Sequence, residues 1–356
     1  MVIKSAGVPR PRKVSQTQLA GELGISQALV SLVLNGRRTG INPETYERVW
    51  AHAVKRGYHP KGMHLASSPA GSQPRQVGYI LRAGLQLHAP TVYFGRVQHG
   101  LHTALETAGF SSVFLGYEDE ITREKLHRFF QAGHLFQGVV LLGEVARPFL
   151  EELRRVERRI VAVSARYPGL CHSVLGNEPQ ALETLVQHLH ALGHRRFGWL
   201  GGNAGLGRHE ARLSALRAAL AHAGLKLDAR YCTKLAEADR AEGAEAVDQL
   251  LPHRRRKDFP TAFIAFNSTM AAGAFKALTR EGWRVPADLS LASADISRAA
   301  TDHVPPIAAA GTSPEKLGEA AARLALGSTG AEDESFTDLM LPAQFFPGAT
   351  TGPAGK

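Results

Sequence analysis

Near the start of the chain, apolar residues recur at helical spacing in two short blocks separated by a glycine. Leu19, Ala20 and Leu23 make one stripe; Leu29, Val30, Val33 and Leu34 make the next, at three- and four-residue intervals. The punctuation agrees with the pattern. Ser15 with Gln18 three positions on is an S-x-x-Q capping box, Gly24 stands where the chain must leave the first helix, and Ser26 is placed to cap a second helix beginning near Gln27. Gln27, Ala28, Ser31 and Leu32 then lie on the other faces of that helix. A third helix follows, with Asn42 as its cap, Pro43 in its first turn, and Val49, Trp50, Ala53 and Tyr58 as its buried side. Two short helices about a glycine turn, backed by a third, predict a small all-α helix-turn-helix, which lays its second helix in the major groove of DNA. An ordinary helical hairpin at the front of an enzyme is the alternative.

The pattern changes after Ser67 to Pro74 (SSPAGSQP), where Ser, Pro and Gly concentrate as in a linker. Short apolar strands then alternate with helical stretches: VGYIL at 77, a helix over 92–108, SVFLG at 112, a helix to 132, GVVLLG at 138 and a helix to 158. The rhythm resumes with FGWLGG at 197, a helix over 208–223, AFIAFN at 262, a helix to 281 and LSLASAD at 289. This is the βαβ alternation of parallel sheets, and it predicts two α/β lobes. The glycine-rich turn GGNAGLG matches neither a Walker A loop nor a GxGxxG in register, so it reads as a turn lining a cleft.

Charge sharpens the first prediction. Residues 1–62 hold 10 Lys and Arg against 3 Glu, a net +7 out of +10 for all 356 residues. A basic stripe beside a helix-turn-helix suits phosphate contact and counterion release. A membrane is the other acidic partner, but no basic amphipathic helix with an aromatic face supports it, nor is any stretch as long as a membrane span. Cys171 and Cys232 are far apart and lack metal-ligand spacing; with no signal-peptide core at the start, a reduced cytoplasmic setting, at the nucleoid, is expected. No cofactor motif is present, and the 16 histidines form no Ser-His-Asp, HExxH or P-loop arrangement.

The run ISQALVSLVLNG with ETYERVWAHAVKRGYHP resembles the DNA-binding headpiece of the lac-repressor family of bacterial transcription regulators. The likeness continues through VYFGRVQHGLHTALETAGF, ALGHRRFGWLGG and AFNSTMAAGAFKALTREGWRVPADLSLASAD, and so spans nearly the whole chain. It implies a headpiece over 1–60, a hinge over 61–75, a two-lobed core over 76–348 that looks like a periplasmic sugar-binding protein, and a disordered tail over 349–356. It also implies a homodimer on a pseudo-palindromic operator in double-stranded DNA, with a small sugar-like effector between the lobes. A solute-binding transport protein and a sugar-metabolising enzyme are the competing readings.

Carried over residue by residue, the resemblance places base reading on Gln27 and Ala28, where an amide can pair with adenine and a methyl can touch thymine. The next reading position, usually an arginine, is Leu32, which cannot bond guanine bidentately and has packing against the domain as its alternative role. Ser15, Gln16, Ser26, Ser31 and Asn35 would contact phosphates. In the hinge PKGMHLAS, Ser67 stands where a leucine usually wedges into the minor groove, and Gly62 weakens a helix, so less bending of DNA is expected. For the effector, Tyr93 and Phe94 match aromatics that stack on sugars, with core packing as their alternative. Arg166, Asn177, Asn267 and Asp295 match cleft-lining positions. The arginine expected after the glycine-rich turn is Glu210, with Arg208 half a turn away to compensate, and Ser268 replaces an acid. These departures leave an amine-bearing ligand, a nucleoside-like ligand or none open beside a sugar.

Overall fold

Ser15 closes the capping box of helix α1 (Gln16–Leu23): its hydroxyl accepts the Gln18 N–H and the Gln18 side chain accepts the Ser15 N–H. The computed structural model describes residues 15–34, 41–55, 75–83, 93–131, 136–157, 159–327 and 335–355. Gly24 ends α1 in the left-handed region at φ 66°, where a side chain would be strained. The chain turns through 114° into α2 (Gln27–Leu34), whose Leu29 N–H is capped by Ser26, and α3 (Pro43–Lys55) follows its Asn42 cap. Leu19, Ala20, Val30, Val33, Leu34, Val49 and Ala53 form the core of this unit. Glu22 of α1 and His52 of α3 meet at 2.7 Å. The expectations for Asn35, Tyr58 and the hinge lie outside the described residues, as does that for the Trp50 side chain.

Residues 73–356 form a second unit containing two parallel sheets. The first lobe is built from β1 (Gln76–Leu81), α4 (Tyr93–Thr107), β2 (Ser111–Tyr117), α5 (Arg123–Gln131), β3 (Val139–Leu142), α6 (Arg147–Val156), β4 (Ile160–Val163) and β5 (His172–Gly176). The second is built from α7 (Glu178–Ala191), β6 (Phe197–Leu200), α8 (Gly207–His222), α9 (Arg240–Leu250), β7 (Ala262–Ala265), α10 (Ser268–Arg280), β8 (Ser290–Ser293), the short α11 (Arg298–Thr301) and β9 (Ala308–Gly311). The chain then returns to the first lobe for α12 (Pro314–Leu326) and β10 (Asp338–Leu341), and ends in the second with β11 (Gln344–Phe346). The sheet orders are β10-β5-β4-β3-β1-β2 and β11-β9-β8-β7-β6, parallel throughout except where β11 meets β9.

Period-two alternation explains why helices cover both faces of the first sheet. Val77, Tyr79, Val140, Leu142, Val161 and Val163 face the apolar stripes of α4 and α12, whereas Ile80, Val139, Leu141, Ile160 and Ala162 face α5 and α6. Cys171 is buried in that second layer, and burial pushes its thiol up to about 12, which makes it unreactive.

The chain crosses between the lobes three times, and the crossings are bonded together. Asn177 N–H donates to the Leu341 carbonyl at 3.0 Å, the Thr312 hydroxyl donates to the same carbonyl at 3.1 Å, and Ala343 N–H donates to the Gln180 side chain at 2.8 Å. This bundle is the hinge of the two-lobed unit.

The C-terminal segment departs from expectation. Residues 349–355 are not a disordered tail: Thr350 is fully buried, its hydroxyl donates to the Leu291 carbonyl at 2.7 Å, and Ala354 N–H donates to the Leu192 carbonyl at 2.8 Å. Its composition of Gly, Pro and Thr concealed the partners waiting on β8 and α7. Histidines also hold this returning chain. His172 Nδ1 accepts the Thr337 N–H, the His188 ring meets Thr351 Oγ1 at 2.9 Å, and the buried His194 ring lies 2.8 Å from Thr261 Oγ1 and 3.0 Å from the Gly352 carbonyl.

Burial pushes all three histidines below their ordinary value of 6.5. The unfolded chain therefore binds protons near pH 6.5 that the folded chain refuses, so stability falls as pH is lowered through that value. The thermal midpoint should be level above neutrality and decline below it. A midpoint that stays level down to about pH 5 would contradict this account.

Candidate functional site

On α2, Val30, Val33 and Leu34 point into the core, which leaves Gln27, Ala28 and Leu32 exposed and Ser31 half-buried on the opposite side. Leu32 is 38 % exposed, so part of its side chain packs on the domain and part is open to a partner. The first turns of α1 and α2 contain no acidic residue, and Ser15, Gln16 and Ser26 sit at those helix starts. Unpaired N–H groups and the helix dipole make such ends suited to phosphate oxygens. The Ser15 and Ser26 hydroxyls are already used as caps, but each keeps an O–H to donate.

Between the lobes, Ser164 follows β4 at φ 60°, and its hydroxyl lies 3.2 Å from the Tyr93 hydroxyl at the start of α4. The Arg208 guanidinium of the opposite lobe covers the Tyr93 ring at 4.3 Å. Phe94 meets Tyr93 edge-on at 5.2 Å and packs on the first-lobe core. Two more contacts join the lobes: Gly207 N–H, at the start of α8, donates to Glu144 at 2.7 Å, and Arg82 reaches Asn203 at 3.5 Å. The glycine-rich turn thus lines the cleft, and its first α8 amide is occupied by a carboxylate.

Behind Tyr93 lies a chain of buried charges. Arg208 donates to one oxygen of Glu178 at 3.1 Å and Arg212 donates to the other at 2.8 Å. Arg212, 1 % exposed, also donates to the Phe266 carbonyl, stacks on the Phe266 ring at 4.7 Å and lies 4.0 Å from Asp295. Burial alone would raise the Glu178 pKa, but Arg212 and Arg208 outweigh it and the carboxyl titrates below its ordinary value. Burial alone would lower Arg208; Tyr93, Glu178 and Asp295 reverse that and hold it charged. Asp295 accepts the Ser268 N–H at 2.8 Å and the Ser268 hydroxyl. The serine at 268 thus supplies Asp295 with two donors, one from the backbone and one from the side chain.

The effector candidates are only partly brought together. Arg166 and Arg208 line one cavity of ≈ 710 Å³ with Ser164, Glu144 and Glu178, and Arg166 is tied at its mouth to Asp338 at 2.6 Å. Tyr93 and Asp295 approach it through Arg208 and Arg212. Asn177 and Asn267 are instead helix caps, accepting the Gln180 and Met270 N–H groups, and Asn267 also donates to the Ala238 carbonyl at 2.9 Å. Glu210 is exposed on α8. The inward arginine is Arg212, which the sequence reading did not select. A signal existed: the buried residues of α8, His209, Arg212, Leu213, Ala215, Leu216, Ala219 and Leu220, follow one helical stripe that includes Arg212 and omits Glu210.

Comparison with known proteins adds three findings. Residues 186–351 match the model of a periplasmic binding protein-like domain. The chain is similar to the maltose regulon regulatory protein MalI of Escherichia coli, 30% identical over 281 residues that cover 76% of this chain and 77% of that protein. Among solved structures it is similar to the transcriptional regulator CelR in complex with cellobiose, at TM-score 0.67 and 23% identity, covering 96% of this chain and 100% of that one. It is also similar to the lac repressor dimer bound to operator and an anti-inducer, at TM-score 0.65 and 20% identity, with the same coverage. At those identities the two structures establish the shared fold.

Proposed function

We propose, for a chain that belongs to the LacI/GalR family of transcription regulators, that it represses by binding operator DNA through α2 and that a small molecule held between its lobes sets the affinity. The observation that carries this reading is the exposed Gln27, Ala28 and Leu32 face on a capped second helix, in a chain whose other unit is a hinged, two-lobed binding fold. Gln27 reads one base edge, Ala28 and Leu32 give apolar contact, and the helix starts at Ser15, Gln16 and Ser26 position the phosphates; Ser31 and Asn35 are assigned the same phosphate role.

The effector is a sugar or a sugar derivative, in keeping with the maltose regulon and cellobiose named for two relatives. Tyr93, Ser164 and Arg208 contact it, backed by Glu178, Arg212 and Asp295, with Arg166 at the entrance; Phe94, Asn177 and Asn267 support these groups, and Glu210 stays outside. A ligand that binds closed lobes better than open ones shifts their equilibrium by its difference in affinity, and operator binding shifts with it. A homodimer on two half-sites is the assembled form. Phe114 on the first lobe and Val304 on the second are exposed apolar residues suited to a subunit contact.

Binding to a fluorescent duplex from the regulator's own upstream region tests the reading. Gln27→Ala should cost about 1–3 kcal/mol at one base position and leave the salt dependence unchanged. Equal loss on all sequences, with a smaller salt slope, would make Gln27 a phosphate contact. Absence of sequence-selective binding by the parent protein would refute the function itself.

A further inference from the structure

The ≈ 710 Å³ cavity is longer and less polar than a sugar ring requires. One wall is a single face of α8, with Ala211, Ala215, Ala218 and Ala219 at three- and four-residue spacing; Leu175 and Met340 of the other lobe lie across it. Both Gly207 and His222 line it, so it follows α8 for about 22 Å at the helical rise of 1.5 Å per residue. Ser214 is the one hydroxyl on that face, so most of a polyhydroxylated ligand laid along it would lose water without gaining partners.

The charges are unequal. Four carboxylates, Glu144, Glu178, Glu183 and Asp338, line the cavity against two arginines, Arg166 and Arg208. Each arginine is already held by a carboxylate, Glu178 for Arg208 and Asp338 for Arg166. Glu183, at the far end from Ser164, is met by the Gln187 amide at 2.9 Å and the His222 ring at 3.3 Å, neither a permanent cation. Arg212 behind the wall also bonds Glu178, so the excess is one negative charge, and at Glu183, which meets only Gln187 and His222 among the described residues, an anion is repelled and a cation is drawn in.

We propose that this cavity takes the extended part of the effector: an apolar chain or ring that runs along the alanine face of α8 and ends in an ammonium group at Glu183. The proposal rests on the effector reading above and names the chemistry of the ligand beyond its sugar-like head.

Three probes of equal length separate the possibilities: n-octylamine, n-octanol and octanoate, each titrated into the full-length protein and followed by calorimetry and thermal shift. Octylamine should bind about tenfold more tightly than octanol, and octanoate should not bind, since an added ion pair of about 1.4 kcal/mol corresponds to tenfold. Glu183→Gln should bring octylamine to the level of octanol, and Ala218→Leu, at an exposed wall position, should remove binding of both. Octanoate binding as well as octylamine, octylamine binding unaltered by Glu183→Gln, or no binding by any probe would each overturn the proposal. Operator affinity is measured in the same samples. Octylamine bound at Glu183 without any change in operator affinity would uphold the cavity's chemistry and refute the coupling of that site to DNA.

Discussion

Glu178→Ala is expected to destabilise the two-lobed unit by about 3–5 kcal/mol, because it leaves two guanidiniums facing each other in a buried site. Glu178 is the shared partner of Arg208 and Arg212, whose side chains are only 16% and 1% exposed. Arg212 would keep the Phe266 carbonyl and the more distant Asp295, while Arg208 would keep its stacking on Tyr93 and the attraction of Asp295 but lose its carboxylate hydrogen bond. Glu178→Gln should fall between parent and alanine variant, since an amide oxygen can accept one of the two bonds but carries no charge. The pH dependence should change as well. The Glu178 carboxyl titrates below its ordinary value of 4.5, so its stabilisation is present above that pH and is lost as pH falls through the lowered folded value. The alanine variant should lack this acid-side loss. Chemical denaturation of parent and variants at neutral pH and in acid measures both effects; a Glu178→Ala loss below about 1 kcal/mol would mean that water solvates the arginines well enough to replace the carboxylate.

This charge cluster also marks the limit of what the sequence disclosed. The headpiece was legible because its signals are local: Ser15, Gln18, Gly24 and Ser26 each act within four residues, and the structure uses them as caps and turn. The strands of the first lobe were legible for the same reason, since VGYIL and GVVLLG are apolar runs bounded by turns. The return of the chain was not. Helix α12 and strand β10 come after the second lobe in sequence and belong to the first in space, and nothing in their periodicity says which sheet they join. Asn177 and Asn267 misled for a related reason. An asparagine at a helix start is a cap by local physics, and here the cap uses the side-chain oxygen of each residue that the effector reading had assigned to a ligand. The buried stripe of α8 could have identified Arg212, but its carboxylate partner enters from α7, 34 residues away.

Gly318→Val should be the most disruptive single change in the first lobe, by overpacking that typically costs about 1–3 kcal/mol and here exceeds that range because the atoms struck, at Val97 and Leu101, are backbone rather than side chain. Helices α4 and α12 touch through a reciprocal pair of glycines. A Cβ on Gly318 would lie 1.9 Å from the Val97 carbonyl oxygen, and one on Gly100 would lie 2.1 Å from the Glu315 carbonyl oxygen. Neither oxygen can rotate away, so the helices must separate, loosening the layer formed by Val97, Leu101, Leu317 and Ala321. Gly21→Ala in α1 is the matching control, with nothing within 4 Å of the added carbon. Relief of backbone entropy should there stabilise the headpiece by about 0.5–1 kcal/mol. The same class of substitution thus has opposite signs in the two units. The consequence for regulation follows from α4, which carries Tyr93 at its first position, against Ser164 and beneath Arg208. Displacing α4 moves that ring out of the contact between the lobes, so Gly318→Val should abolish effector response while the headpiece retains its intrinsic recognition of DNA. Separate measurement of operator binding and of its change with effector decides the matter, and an unaltered response in a Gly318→Val protein of parental stability would show that α4 and α12 can part without disturbing the cleft.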